Sequence, residues 1–179
     1  MSPLVMPVNE HDHVRGSFDA PVTLVEYGDY ECPHCGRAHP IVQQLIQTLG
    51  DQLGFVFRNF PLSQIHPHAE HAAEAAEAAD ALGGPDAYWG MHDMLFENQE
   101  ALGDEDLMVY AHELGLDEKK VARALATGEL AERVRADFIG GVRSGVNGTP
   151  TFFINGERYD GDWMNARAFA SALVAAVGV

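Results

Sequence analysis

Residues 22–35 read VTLVEYGDYECPHC: an apolar, β-branched run that stops at Gly28 and is followed, four residues on, by two cysteines separated only by Pro33 and His34. Val22–Tyr27, preceded by Pro21, has the length and composition of a largely buried strand. From Pro33 onward Ala38, Ile41, Val42, Leu45, Ile46 and Leu49 recur at helical spacing, and Gly50 stands where a C-terminal cap belongs. Pro40 falls inside this helix, where it removes one backbone hydrogen bond and should bend the helix rather than end it. Cys32 and Cys35 therefore lie on a strand-to-helix junction.

Working outward, Phe55–Phe60 (FVFRNF) reads as a second strand stopped by Pro61, so the first part of the chain is a βαβ unit. From about Ile65 to Val146 only helical patterns occur: His68–Leu82, ended by Gly83-Gly84-Pro85, then Asp86–Asn98, Asp104–Leu114, Glu118–Ala126 and Glu129–Arg143. Strand character returns at Thr151–Ile154, with a hairpin turn at Asn155-Gly156 and a short strand near Arg158–Asp160. Asn165–Val177 closes as an amphipathic helix. The fold class is α/β, with two parallel strands and an antiparallel hairpin making one small mixed sheet. The expected organisation is an N-terminal extension (1–18) with His11 and His13 in a mobile segment, a sheet domain from 19–63 and 147–179, and an inserted helical subdomain (64–146). Ala72, Ala75, Ala76 and Ala79 share one helix face and suggest close packing. Tyr88, Trp89, Met91, Met94, Leu95 and Phe96 form an apolar cluster, read as core with a remainder able to line a groove.

Charge narrows the partners. Eleven Lys and Arg against 27 Asp and Glu give a formal charge of -16 in 179 residues, which repels phosphate backbones and anionic lipid, so nucleic acid is not an expected partner. No apolar run approaches the roughly 18 residues of a membrane span. Met1–Gly16 lacks the basic flank and apolar core of a signal peptide, which points to the cytoplasm for the sequence as given and to a periplasmic or extracytoplasmic site if a signal has been removed. Two cysteines cannot form a disulfide framework, and closing so short a loop constrains the unfolded chain little; reactive use is favoured.

Thiol-disulfide exchange requires an accessible thiolate and a second thiol placed to displace whatever becomes attached to the first. A Cys-x-x-Cys pair on the first turn of a helix supplies both, with Cys32 near unsatisfied N–H groups at the positive helix end and Cys35 turned inward. Lowering a thiol from about 8.5 to about 5 takes roughly 4–5 kcal/mol, whereas the helix dipole contributes about 0.3–1 and at most about 2 kcal/mol. Backbone N–H groups, the Cys35 thiol and His34 are available for the rest. A more stable thiolate makes the disulfide a stronger oxidant, so His34 points toward an oxidase; the bland reading is a helix-start residue with no electronic role.

A CxxC is also half of a zinc site, but none of the nine histidines forms a second pair at zinc-finger spacing. His66, His68 and His71 come nearest and sit at a helix start, where solvated or capping roles are ordinary. No metal is expected, and no cofactor beyond the redox-active Cys32–Cys35 pair.

Glu26, CPHC six residues later, a helical insertion, and Gly148-Thr149-Pro150 leading into TFFI together resemble the DsbA family of thioredoxin-fold disulfide oxidoreductases, over about Asp19–Val177. The resemblance implies a thioredoxin-like fold with a helical insertion. It also implies that Cys32 is the nucleophile, Cys35 the resolving thiol, and Pro33 and His34 the tuning dipeptide. Pro150 would be cis against the Cys32 sulfur, with the Thr149 backbone pairing to an extended substrate. Glu26 would be a semi-buried acid of raised pKa that relays the Cys35 proton, unless it is exposed at the strand end. The implied partners are thiol- or disulfide-containing proteins and a redox partner that regenerates the active form. Thr149 departs from the Val of DsbA and resembles the Thr-Pro of the isomerases, which leaves oxidase, reductase and isomerase directions open. A kappa-type glutathione transferase or isomerase would share the architecture, although such proteins generally carry Ser or a single thiol in place of CPHC. A non-enzymatic metal-binding or thiol-chaperone module is the third class compatible with the motif.

Overall fold

The computed structural model describes residues 3–178, which divide into two compact units. The first comprises the chain up to Gly28, Arg37–Arg58 and the chain from Ile139 onward. It carries a five-stranded sheet of order β1-β3-β2-β4-β5, from β1 (His13–Gly16), β2 (Val22–Gly28), β3 (Leu53–Asn59), β4 (Thr151–Ile154) and β5 (Glu157–Tyr159). β2 and β4 run antiparallel, pairing Glu26 with Phe152 and Tyr27 with Thr151. Asn155 (φ 48°) and Gly156 (φ 82°) both take left-handed conformations between β4 and β5, the two-residue turn that an Asn-Gly pair favours because its twist matches that of the strands.

β2 and β3 bury both faces, so neither alternates: Val22, Leu24, Val25, Tyr27, Leu53, Phe55, Val56 and Phe57 are all inaccessible. Helix α1 (Pro33–Leu49) continues through Pro40 and gives this core Ala38, Val42 and Leu45. The last helix of the chain, Ala166–Ala176, adds Phe169, which lies against Phe152 and stacks on Tyr159 with centroids 4.9 Å apart in each case.

The segment around His11 and His13, expected to be mobile, is instead paired to the sheet. His13–Gly16 forms the edge strand β1, antiparallel to β3. Arg58 of β3 donates to Asp12 through Nε (2.8 Å) and Nη2 (2.8 Å), to the carbonyls of Met6 and Pro7, and to the Tyr27 hydroxyl. A short polar strand such as HVRG shows no hydrophobic period, so pairing and this ion pair, not local propensity, order it.

The second unit comprises Asp29–Gly36 and Asn59–Phe138. The predicted helices on either side of Gly83-Gly84-Pro85 appear as α2 (Ala69–Glu97), interrupted at Gly84 (φ 78°, ψ -168°). It is followed by α3 (Asp104–Glu113), α4 (Glu118–Thr127) and α5 (Ala131–Arg143). Ala72, Ala75, Ala76 and Ala79 are buried, as close packing requires, and Tyr88, Trp89, Met91, Leu95 and Phe96 are core, with Met94 partly exposed. The buried Asn59 amide donates to Glu77 (2.7 Å) and Asp137 (3.0 Å), and Arg133 pairs with the same two carboxylates. Burial raises the Asp137 pKa against the opposing pull of Arg133. Among the described residues no helix is long and apolar enough to cross a membrane.

Candidate redox site

The segment Asp29–Gly36, which holds the CPHC motif and the start of α1, belongs to the helical unit. Cys32 N–H donates to the Asp29 carbonyl (3.1 Å), and the Cys32 carbonyl accepts the first helical bond from Gly36 N–H (3.0 Å). Cys32 is therefore the N-cap, where a side chain faces the unsatisfied N–H groups of the first turn. Pro33 takes the first helical position, where its fixed φ suits the helix and its missing N–H costs nothing. No acidic residue lies in the first turn of α1 to cancel the positive helix end.

His34 and Pro33 are exposed and Cys35 is fully buried. Cys32 differs from the exposed thiol expected: it is 4% exposed. Its backbone is folded inward by the Asp29 bond and by the side-chain amide of Gln99, which donates to the carbonyls of Cys32 and Tyr30, both at 2.8 Å. Gly36 makes room for that amide, since a Cβ there would stand 2.0 Å from the Gln99 side-chain oxygen. Tyr30 anchors the turn further by a 2.9 Å bond between its hydroxyl and His92 Nδ1, inside a cluster with Phe96.

Asp29, only 1% exposed, holds the turn from the other side. Its Oδ1 accepts from Glu31 N–H (2.8 Å), and its Oδ2 accepts from Leu62 N–H (2.9 Å) and His66 Nδ1 (2.7 Å). Glu31 in turn accepts from His68 N–H at 2.7 Å. His66, with 18% of its side chain exposed, has a raised pKa. Its burial opposes the rise, but the Asp29 hydrogen bond and the nearby charges of Asp29, Cys32 and Glu31 outweigh it. Sequence reasoning does not single out Asp29, His66 or Gln99 as site residues. Asp29 three residues before the motif is the one local signal; the others lie 37 and 67 positions from their partners.

The remaining expected site residues belong to the sheet unit. Glu26 is 2% exposed, which removes the strand-end reading, and its Oε1 lies on the side of Gly28 and Phe57. The Thr149–Pro150 peptide is cis, as the resemblance implies, immediately before β4; Thr149 and Pro150 are partly exposed. The loop before β4 is braced by the Thr151 hydroxyl, which donates to the Gly148 carbonyl at 2.7 Å.

A sheet with a Cys-x-x-Cys pair at a strand-to-helix junction and a cis proline before a later strand defines the thioredoxin class. A family model described as Thioredoxin matches residues 8–173, and the chain belongs to that family. Its fold is that of the DsbA-like members, with the helical insertion. It superposes on BdbD from Bacillus subtilis with a TM-score of 0.88 at 24% identity, over 99% of both chains. It superposes on DsbA2 from Pseudomonas aeruginosa with a TM-score of 0.74 at 24% identity, covering 94% of this chain and 95% of that one. Among curated relatives it is 45% identical, over 97% of its length, to a protein of Salinispora arenicola named Na(+)/H(+) antiporter NhaA 1, of which it spans 26%.

Proposed function

We propose that the chain exchanges disulfides with protein substrates and acts as a disulfide donor. The placement of Cys32 at the N-cap of α1, with Cys35 buried one turn on, carries this reading. In the oxidised form a substrate thiolate attacks Cys32 Sγ. The Cys32–Cys35 bond breaks, Cys35 leaves as a thiolate that takes up a proton, and substrate and Cys32 share a mixed disulfide. A second substrate thiolate attacks the substrate sulfur of that adduct and Cys32 leaves. The substrate has lost two electrons and the pair has gained them, so a partner must reoxidise it; no further cofactor enters. In this reading Glu26 handles a proton, Thr149 and Pro150 bind an extended substrate segment, and exposed His34 favours the reduced form.

Cys32→Ser should abolish exchange, and Cys35→Ala should accumulate mixed disulfides; normal turnover by Cys35→Ala without adducts would remove the dithiol mechanism. Equilibration with glutathione buffers gives the direction: a potential near roughly -120 mV supports the donor, and one near roughly -270 mV makes the chain a reductase. The donor reading goes with an oxidising, extracytoplasmic site and the reductase with the cytoplasm. The antiporter similarity supports a second reading, in which the substrate cysteines belong to a membrane transporter. Trapping by Cys35→Ala in cells would favour it if an antiporter is recovered, and would remove it if only unrelated proteins are.

A further inference from the structure

We propose that His66, oriented by Asp29, is a positioning residue for the redox pair: its imidazolium holds the Cys32 thiolate, so the proton affinity of His66 changes with the redox state of Cys32. The inference rests on the exchange reading above. Asp29 is buried and its carboxylate accepts three hydrogen bonds, two of which come from the segment Leu62–His66. That segment is itself closed, with Ile65 and His66 N–H both donating to the Leu62 carbonyl at 2.9 Å. The same Asp29 accepts Cys32 N–H through its own carbonyl, so thiol and imidazole are mounted on one residue.

The geometry selects the titrating atom. Nδ1 is committed to a carboxylate and must carry its proton, which leaves Nε2 as the nitrogen that gains or loses one. The side chain retains enough solvent contact to exchange that proton. Three groups act on it by charge: Asp29, Glu31 and Cys32. The two acids are the same in the dithiol and the disulfide, whereas Cys32 can carry charge only in the dithiol. Of these three charges, only that of Cys32 changes with the redox state of the pair. Thermodynamic reciprocity then requires the factor by which the thiolate strengthens proton binding at His66 to equal the factor by which imidazolium strengthens dissociation of the thiol.

The test uses the whole chain. His66 ring resonances are titrated by NMR in the reduced and in the disulfide form, and Cys32 ionisation is followed by thiolate absorbance in the wild type and in His66→Gln, which keeps a donor for Asp29 without a charge. Expected are a roughly tenfold tighter proton at His66 in the reduced protein, a matching roughly tenfold fall in the Cys32 dissociation constant in His66→Gln, and, in Cys32→Ser, a His66 titration that matches the disulfide form of the wild type. A His66 titration identical in both redox states would overturn the proposal, and needs no variant that folds. Failure of the exchange reading is separate: wild type and His66→Gln alike would then show no disulfide transfer.

Discussion

Each unit sinks a charged side chain and satisfies it differently. In the sheet unit the Arg58 guanidinium uses five N–H bonds, to Asp12 twice, to the Met6 and Pro7 carbonyls and to Tyr27. In the helical unit the Asp29 carboxylate accepts two backbone N–H groups and the ring of His66. The first arrangement is saturated and cannot titrate: burial lowers the Arg58 pKa, but Asp12 and Tyr27 more than compensate, so the guanidinium stays charged at every accessible pH. The second ends on a histidine with one nitrogen left over. A closed network around a permanent charge is architecture, while one that ends on an imidazole includes a group able to gain or lose a proton.

The comparison breaks most visibly at Asp12. Asp12→Ala leaves a buried guanidinium without its counter-ion and should cost about 3–5 kcal/mol in denaturant melts, with exchange per folded molecule unchanged. A loss below about 1 kcal/mol, or a fall in exchange, would show that the Arg58 network is not the purely structural device described. Gln99→Ala comes next. Two carbonyls of the redox turn lose their donor, which should cost about 1–3 kcal/mol and alter the exchange rate. Gly36→Ala displaces the same amide, so the double variant should fall short of additivity by about 0.5–3 kcal/mol; strict additivity would uncouple Gln99 from the turn.

The smallest effect is at the surface pair His71–Asp104, bonded at 2.7 Å. The hydrogen bond to Asp104 raises the His71 pKa, so its contribution is fully present below the unfolded value near 6.5 and disappears as pH rises through the folded one. Both side chains are exposed, so His71→Gln should cost less than about 1 kcal/mol at pH 6 and nothing resolvable at pH 8. The opposite pH order would refute the assignment.

Much of this molecule is written locally. A period near 3.6 marks α1 within its observed bounds, the apolar run Thr151–Ile154 coincides with β4, and Gly83-Gly84-Pro85 foretells the break at Gly84. Cys32 and Cys35 are legible because their spacing is a short-range pattern, whereas the cis proline is legible only through the family resemblance. The edge strand β1 is not, because HVRG has no period of its own and is ordered by residues about forty positions away.

The sequence by itself determined the order of the helices and of strands β2 to β5 and the cysteine pair, since periodicity, turn chemistry and a CxxC spacing act over a few residues. Only the tertiary structure decided that Cys32 is nearly covered, that Gln99 clasps its carbonyl, and that Asp29 joins it to His66. Those bonds link positions tens of residues apart, and a polar side chain shows nothing of its partner until burial forces it to find one.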